Sequence, residues 1–466
     1  MQEATVADPI SHVYTLVVVP RKPANHAGVL QIVRVMSSPA SATPVSSGPN
    51  AARDDVAISG SSHLSVPIPV LVVVPTLDGG ASDAGAVELV RILAGAGYAA
   101  TLISRVGRLV ADATTAGVEF IPLDVSSNNP IVILRNAFVL ARLARERRCA
   151  AIHAFGRAGA WSALIAARLC RIRFVTSWHK GFREQNLFKR FYNGVMARGD
   201  RVIASSEQIA QLINDRYGTP WNKITVMPSS VDLERFNPEI VTRERVEAMR
   251  NAWGVKRDTK VILISGRILR RKGHHVAVKA VKRLKEKGLK DFLCVFVGED
   301  RGRSRYTGEL WDLVLTTGTM DVIRMASPVP DMPAAYAAAS VVVSAAVQPE
   351  GVQRAILEAQ AMARPIIVSD LGAGPDVVLT APAVPESRIA GFRFQAGDDA
   401  ALAAALLRLF SMPEPNRATI GRRGREWVLA HFNPDIVAEQ TLHLYADIAR
   451  QTGRPSETVK IAAGQN

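Results

Sequence analysis

Val261-Ile-Leu-Ile-Ser-Gly-Arg-Ile-Leu-Arg-Arg-Lys-Gly273 opens on four apolar residues, breaks at Gly266 into a basic loop, and leads into the helical pattern of His275 to Leu284. An apolar run too short for a helix, then a glycine-bounded turn, then helical spacing reads as a strand feeding a helix. The unit recurs in two series. The first contains Val70 to Val74, Ala99 to Ile103, Ala151 to His153, Phe174 to Ser177 and Arg201 to Ala204. The second contains Val261 to Ser265, Phe292 to Val297, Val322 to Met325, Val341 to Ser344 and Pro365 to Val368. Strands apolar at nearly every position, alternating with helices, belong to parallel sheets covered on both faces. The expected fold is therefore α/β, with two doubly wound Rossmann-like domains facing each other across a cleft.

The expected boundaries are 67–245 for the first domain and 246–432 for the second. A C-terminal helix at 433–450 crosses back to the first domain, and 451–466 form a tail. The polar stretch Pro238 to Asp258 reads as the linker region. Residues 1–66, rich in Ser, Pro and Ala, read as a disordered extension with one short strand at Tyr14 to Val19.

The basic loop also carries chemistry. Arg267 and Lys272 lie five positions apart between Gly266 and Gly273, placed to converge on one diphosphate, the Arg as a fork and the Lys as a point charge. A solvated basic turn would look the same in isolation. A second stretch, Gln348-Pro-Glu-Gly-Val-Gln-Arg-Ala-Ile-Leu-Glu358, sets Glu350 in a turn and Glu358 eight positions later within an apolar helical pattern. Each carboxylate can accept hydrogen bonds from two neighbouring hydroxyls, which suits a ribose and a second sugar, although acids near a helix start also serve the helix dipole.

These stretches fall in order with Pro75-Thr-Leu-Asp-Gly-Gly80, His153, Thr176-Ser-Trp-His-Lys-Gly181, Val202-Ile-Ala-Ser-Ser206, Ser230-Val-Asp-Leu-Glu-Arg-Phe236, Val297-Gly298, Val329-Pro-Asp-Met-Pro-Ala-Ala-Tyr336 and Leu371-Gly-Ala-Gly-Pro-Asp-Val377. From about Val70 to Ile448 the ordered set resembles the group 1 glycosyltransferases, retaining enzymes of the two-domain GT-B type. The resemblance implies that Arg267 and Lys272, beside Gly266, hold the diphosphate of a nucleotide-sugar donor. It implies that Glu358 holds the ribose and that Glu350 meets hydroxyls of the transferred sugar. Gly79 and Gly80 would face the reaction centre, and His179 would lie beside the donor sugar. His153 is a weaker candidate.

The expected activity is transfer of a sugar, of hexosyltransferase type, to a glycan or lipid-linked acceptor in cell-envelope polysaccharide or lipopolysaccharide core assembly. An epimerase or phosphorylase of the same fold, or a non-catalytic carbohydrate-binding protein, remains an alternative. The sequence departs from the family in places. Ser229-Ser230 stands where Asn-Gly is common, and Arg354, four residues before Glu358, either pairs with it or extends the phosphate site. NAD is disfavoured because Thr76 to Gly80 lacks the GxGxxG turn.

Composition bounds the rest. With 466 residues, 48% of them hydrophobic, the chain can build two full cores. Cys149, Cys170 and Cys294 are widely spaced and without CxxC pairing, which reads as reduced, buried and cytoplasmic. No Asp-x-Asp triplet occurs, so neither a metal nor another cofactor is expected. No apolar run nears the ~18 residues of a membrane span, and the amino end lacks a secretory pattern. The net charge of +15 suits an anionic membrane surface as partner, with the enzyme peripheral on its inner face. Nucleic acid is not expected, since aromatics are 6% of residues and do not interleave with the basic clusters.

Overall fold

The computed structural model describes residues 4–8, 12–16 and 67–452, apart from 116, 180–185, 257, 301–303 and 373. Near the amino end, β1 (Ala4–Asp8) and β2 (His12–Leu16) pair antiparallel. The second strand thus starts two residues before the expected Tyr14, and the rest of the expected extension lies outside the described residues.

From residue 67 onward the chain forms two parallel sheets. The first is built from β3 (Pro69–Val73), β4 (Ala99–Ser104), β5 (Glu119–Pro122), β6 (Ala151–Phe155), β7 (Arg173–Trp178), β8 (Arg201–Ala204) and β9 (Ile224–Val226), in the order β5-β4-β3-β6-β7-β8-β9. The second is built from β10 (Lys260–Ser265), β11 (Phe292–Val297), β12 (Ile323–Ala326), β13 (Val341–Ser344), β14 (Ile366–Ser369) and β15 (Gly391–Phe394), in the order β12-β11-β10-β13-β14-β15.

The unbroken apolar strands serve two cores each. Val70 and Val72 pack into one cluster, while Leu71 and Val73 pack into another on the opposite face. Val261 and Leu263 are likewise divided from Ile262 and Ile264. Because successive strand residues point to opposite faces, only a doubly covered sheet makes every position apolar. The fold is α/β with two Rossmann-like sheets.

Three edge strands, β5, β9 and β15, stand outside the two series read from the sequence. They are shorter or more polar, and β5 and β9 hold no buried residue. The stretch read as a linker is folded. Helix Arg243–Ala252 packs Val246 and Met249 onto the second lobe, joining Phe236, Trp253 and Val255 there, and Arg245 pairs with Asp331 at 2.7 Å. Cys149 and Cys294 are buried, but Cys170 is only half-buried, with its thiol 3.3 Å from the Ala141 carbonyl.

The chain passes between the lobes twice. The first passage follows β9, and the second leads into helix Pro434–Gln451, whose Leu444, Tyr445, Ile448 and Ala449 join a core of the first lobe. The passages touch where the Val231 N–H donates to the Phe432 carbonyl at 3.2 Å. Among the described residues no helix is long and apolar enough to cross a membrane.

Candidate active site

In parallel sheets the loops beyond the strand carboxyl ends gather on one edge, and ligands of doubly wound folds bind there. Here the two such edges face each other across a cleft of about 620 Å³. Gly79, Gly80 and His179 line it from the first lobe, and Gly266, Arg267, Lys272, Glu350 and Glu358 from the second. The structure therefore brings every candidate except His153 to one cavity.

The second-lobe wall starts at β10. After Ser265 the loop turns through Arg270–Lys272 and ends at Gly273, whose φ of +75° is left-handed. A methyl group at Gly273 would stand 1.7 Å from the Ala345 carbonyl oxygen, so only glycine lets the basic loop lie against the chain beyond β13. That contact presents Lys272 to Glu350. The Lys272 Nζ is 2.6 Å from Glu350 Oε2 and donates to Gln353 Oε1 at 2.7 Å. Arg271 donates to the other Glu350 oxygen.

Burial pushes the Lys272 pKa down, and Glu350 opposes that. Burial would raise the Glu350 carboxyl, but the cations beside it hold it below its usual range. Glu350 is thus a doubly bridged carboxylate at the cleft wall. Arg271 and Gln353 were not singled out from the sequence; the run of three basic residues at 270–272 was the only local hint.

Glu358 sits deeper, on helix Arg354–Ala361. Its Oε2 accepts from the Tyr336 hydroxyl at 2.8 Å, and that hydroxyl lies 2.9 Å from Ser265 Oγ. Burial raises the Glu358 carboxyl above its ordinary value against the opposing pull of Arg354 and Tyr336. Arg354 lines the cleft at the first turn of the same helix.

On the first-lobe wall, Asp83 shapes the Thr76–Gly80 loop, accepting from the Gly79 N–H at 3.1 Å and from Thr76 Oγ1 at 3.2 Å. Helix Ala81–Gly95 begins immediately after Gly80, so its N-terminal N–H groups open onto the cavity. The Ser230 N–H and hydroxyl both donate to Glu88 of that helix, so the Ser229-Ser230 turn is secured against the first lobe.

The histidines separate by environment. His153 is sealed in the core, with Nδ1 2.7 Å from the Tyr445 hydroxyl and Nε2 2.8 Å from Ser177 Oγ. Both ring nitrogens are satisfied, which makes it a structural residue. His179 stacks on Phe155 at 5.6 Å, and its buried Nε2 finds no hydrogen-bond partner among the described residues. Its carbonyl meets the second lobe, since a methyl group on Gly351 would stand 2.0 Å from that oxygen.

Burial lowers the pKa of His153 to about 3, and those of His179 and His274 to about 4, from an ordinary 6.5. Each neutral ring contributes stability that is complete above pH 6.5 and is lost as pH falls toward the folded value, at up to ~1.4 kcal/mol per pH unit and ring. Burial-raised carboxyls at Asp83, Glu88, Glu358 and Asp376 pull the other way in this window. The melting temperature should therefore fall as pH is lowered from about 6.5 to about 4.5. A melting curve that stays level or rises over that range would mean that the buried carboxyls, and not these rings, set the pH dependence.

Known proteins share both halves of this arrangement. Residues 84–235 match the model of Glycosyltransferase Family 4, and residues 259–412 match that of the Glycosyl transferases group 1. The D-inositol 3-phosphate glycosyltransferase of Salinispora arenicola is 28% identical over 271 residues, 56% of this chain and 58% of that protein. The chain spans about half the length of the curated relatives it matches. A glycosyltransferase crystal structure from Rickettsia africae superposes with a TM-score of 0.74 at 27% identity, covering 82% of this chain and 99% of that one. Anabaena HepE, solved with UDP-glucose, shares the fold with a TM-score of 0.70 at 17% identity, over 82% of this chain and 100% of its own. With two glycosyltransferase models matched in chain order, one to each wall of a single cleft, the chain belongs to the group 1 glycosyltransferases.

Proposed function

We propose that the cleft transfers a sugar from a nucleotide-diphosphate sugar to a glycan or lipid-linked acceptor, with retention of anomeric configuration. The observation that carries this reading is the meeting of Arg267 and Lys272 with Glu350 and Glu358 on one wall of a cavity roomy enough for a nucleotide sugar. Arg267 and Lys272 take the diphosphate, Glu358 takes the ribose hydroxyls, and Glu350 meets the transferred sugar. As the C1–O bond to the diphosphate lengthens, positive charge spreads over the sugar ring and negative charge grows on the leaving oxygen. The two cations stabilise that oxygen, which accepts the proton of the attacking acceptor hydroxyl on the same face. The new C1–O bond forms there, and the nucleoside diphosphate departs with the proton. The family resemblance supports cell-envelope polysaccharide or lipopolysaccharide core assembly as the setting, at the inner face of the membrane and without a metal.

A thermal-shift panel with UDP, GDP, ADP and their sugar conjugates, with and without EDTA, tests the donor site, since a ligand of the folded state raises its melting temperature. One nucleotide class should raise it, with EDTA making no difference. Glu358→Gln, which turns a double acceptor into a group with a single carbonyl, should weaken that nucleotide about tenfold or more. No shift with any nucleotide, or full affinity in the Gln variant, would remove the donor assignment.

A further inference from the structure

Helix Pro130–Glu146 has an inner stripe of Asn136, Ala137, Leu140, Ala141 and Ala144, all buried, where the helix packs on helix Arg157–Cys170 of the first lobe. Its outward face is apolar too: Ile131 is 79% exposed and Phe138 58% exposed, with Leu134 between them. Large apolar side chains gathered in solvent on one helix face mark a contact surface.

Beside it, helix Leu187–Asn193 holds Leu187 81% exposed and Phe188 75% exposed, followed by Phe191. The two helices form one surface. The Tyr192 hydroxyl donates to Asn128 Oδ1 at 2.6 Å, just ahead of the first helix. Trp161 lies between them, 5.5 Å from the Phe191 ring, while its neighbour Ser162 donates to the Ile133 carbonyl at 3.0 Å. The charges interspersed with the apolar residues are positive. Arg135, Arg142, Lys189 and Arg190 are exposed, and Arg198 lies 4.8 Å over the Phe191 ring. On these two helices the one acid is Glu146, at the far end of the first, where it pairs with Arg142 at 2.6 Å and leaves Arg135, Lys189 and Arg190 as the surplus positive charge.

We infer that this surface docks the enzyme on an anionic lipid bilayer, with the six apolar side chains entering the interface and the cations on lipid headgroups. Protruding aliphatic and aromatic residues among Lys and Arg fit the headgroup boundary. Nucleic acid fits less well, because Ile131, Leu134 and Leu187 offer no ring for a base to stack on. The placement deepens the proposed function and rests on it for the acceptor. The apolar half of helix Pro130–Glu146 and the whole of Leu187–Asn193 follow the carboxyl ends of β5 and β7, the edge on which the cleft opens. Docking there brings a lipid-linked acceptor to the cleft mouth.

The test is co-sedimentation of the full chain with vesicles of phosphatidylcholine alone or mixed with phosphatidylglycerol. Binding should require phosphatidylglycerol and should collapse near 1 M salt, where charges are screened beyond about 3 Å. The double variant Phe138→Glu with Phe188→Glu should lower it at least about tenfold. Melting temperature and the nucleotide-induced shift should match the parent, because both residues lie outside the cleft. Absence of binding to anionic vesicles, equal binding to neutral ones, or undiminished binding by the double variant would overturn the inference. So would a dimer that the variant dissociates in a chain that ignores vesicles, since a second copy would then be the cover. Vesicle binding by a chain that shows no nucleotide shift would leave the docking surface standing while removing the donor site.

Discussion

Lys272→Ala should lower donor turnover by about 10²–10³, since withdrawing one preorganised group from a developing oxyanion costs roughly 3–4 kcal/mol of transition-state stabilisation. Its effect on folding should be far smaller. A buried carboxylate stripped of its counter-charge ordinarily costs about 3–5 kcal/mol, but Glu350 keeps Arg271 on its other oxygen. The partition between the two losses is the informative quantity. Nucleotide release from the donor measures the first, and chemical denaturation the second. Parallel loss of activity and stability would reduce Lys272 to a scaffold partner of Glu350. Arg271→Ala is the complementary case, because it leaves the cation assigned to the diphosphate in place and should be felt more in the orientation of Glu350 than in leaving-group stabilisation.

Gly351→Ala should lower turnover about 100-fold, although it changes no charge and empties no core. The added methyl would lie 2.0 Å from the His179 carbonyl oxygen and 2.8 Å from Ser205 Oγ. The nearer atom is backbone and cannot swing aside, so either the loop carrying Glu350 retreats or the lobes separate. Displacement of a reacting group by roughly 1 Å costs about 100-fold where rate depends on alignment. The cores of the two lobes are untouched, so the melting temperature should move by only a few degrees. Wild-type turnover in Gly351→Ala would mean that this contact opens before reaction.

Much of this architecture was legible because inner strands of doubly covered sheets are apolar on both faces, as in Val70 to Val73 and Val261 to Ile264. Edge strands escape that rule. Glu119-Phe-Ile-Pro and Ile224-Thr-Val sit at the two rims of the first sheet, half in solvent, and their patterns do not stand out from loops. The helix within the stretch that joins the lobes was hidden for a related reason. Helix Arg243–Ala252 has no buried residue and looks polar, yet Val246 and Met249 anchor it.

At the site, the location of Arg267, Lys272, Glu350 and Glu358 could be read from their loops and helices, whereas their partners could not. Tyr336 reaches Glu358 from 22 positions away, and Arg271 and Lys272 meet the Glu350 segment from about 80. Those meetings depend on β10 lying beside β13, a choice of neighbour that no local pattern encodes. Asp83, in the first turn of its helix, and Glu88, in the middle of it, carry no local mark in the sequence; the loop and turn they hold distinguish them.

The double passage of the chain between lobes sets how the cleft can move. A single linker would let the lobes swivel and drift apart, whereas two passages joined from Val231 to Phe432 would confine them to turning about that joint. Any such turn would move most the residues farthest from the joint. Arg108 and Glu299, 3.5 Å apart across the gap, would act as the latch of that rotation. The same geometry makes the first lobe depend on the last helix of the chain: a protein cut before Pro434 loses Tyr445, the partner of His153, and with it a side wall of the lobe it seemed to leave intact.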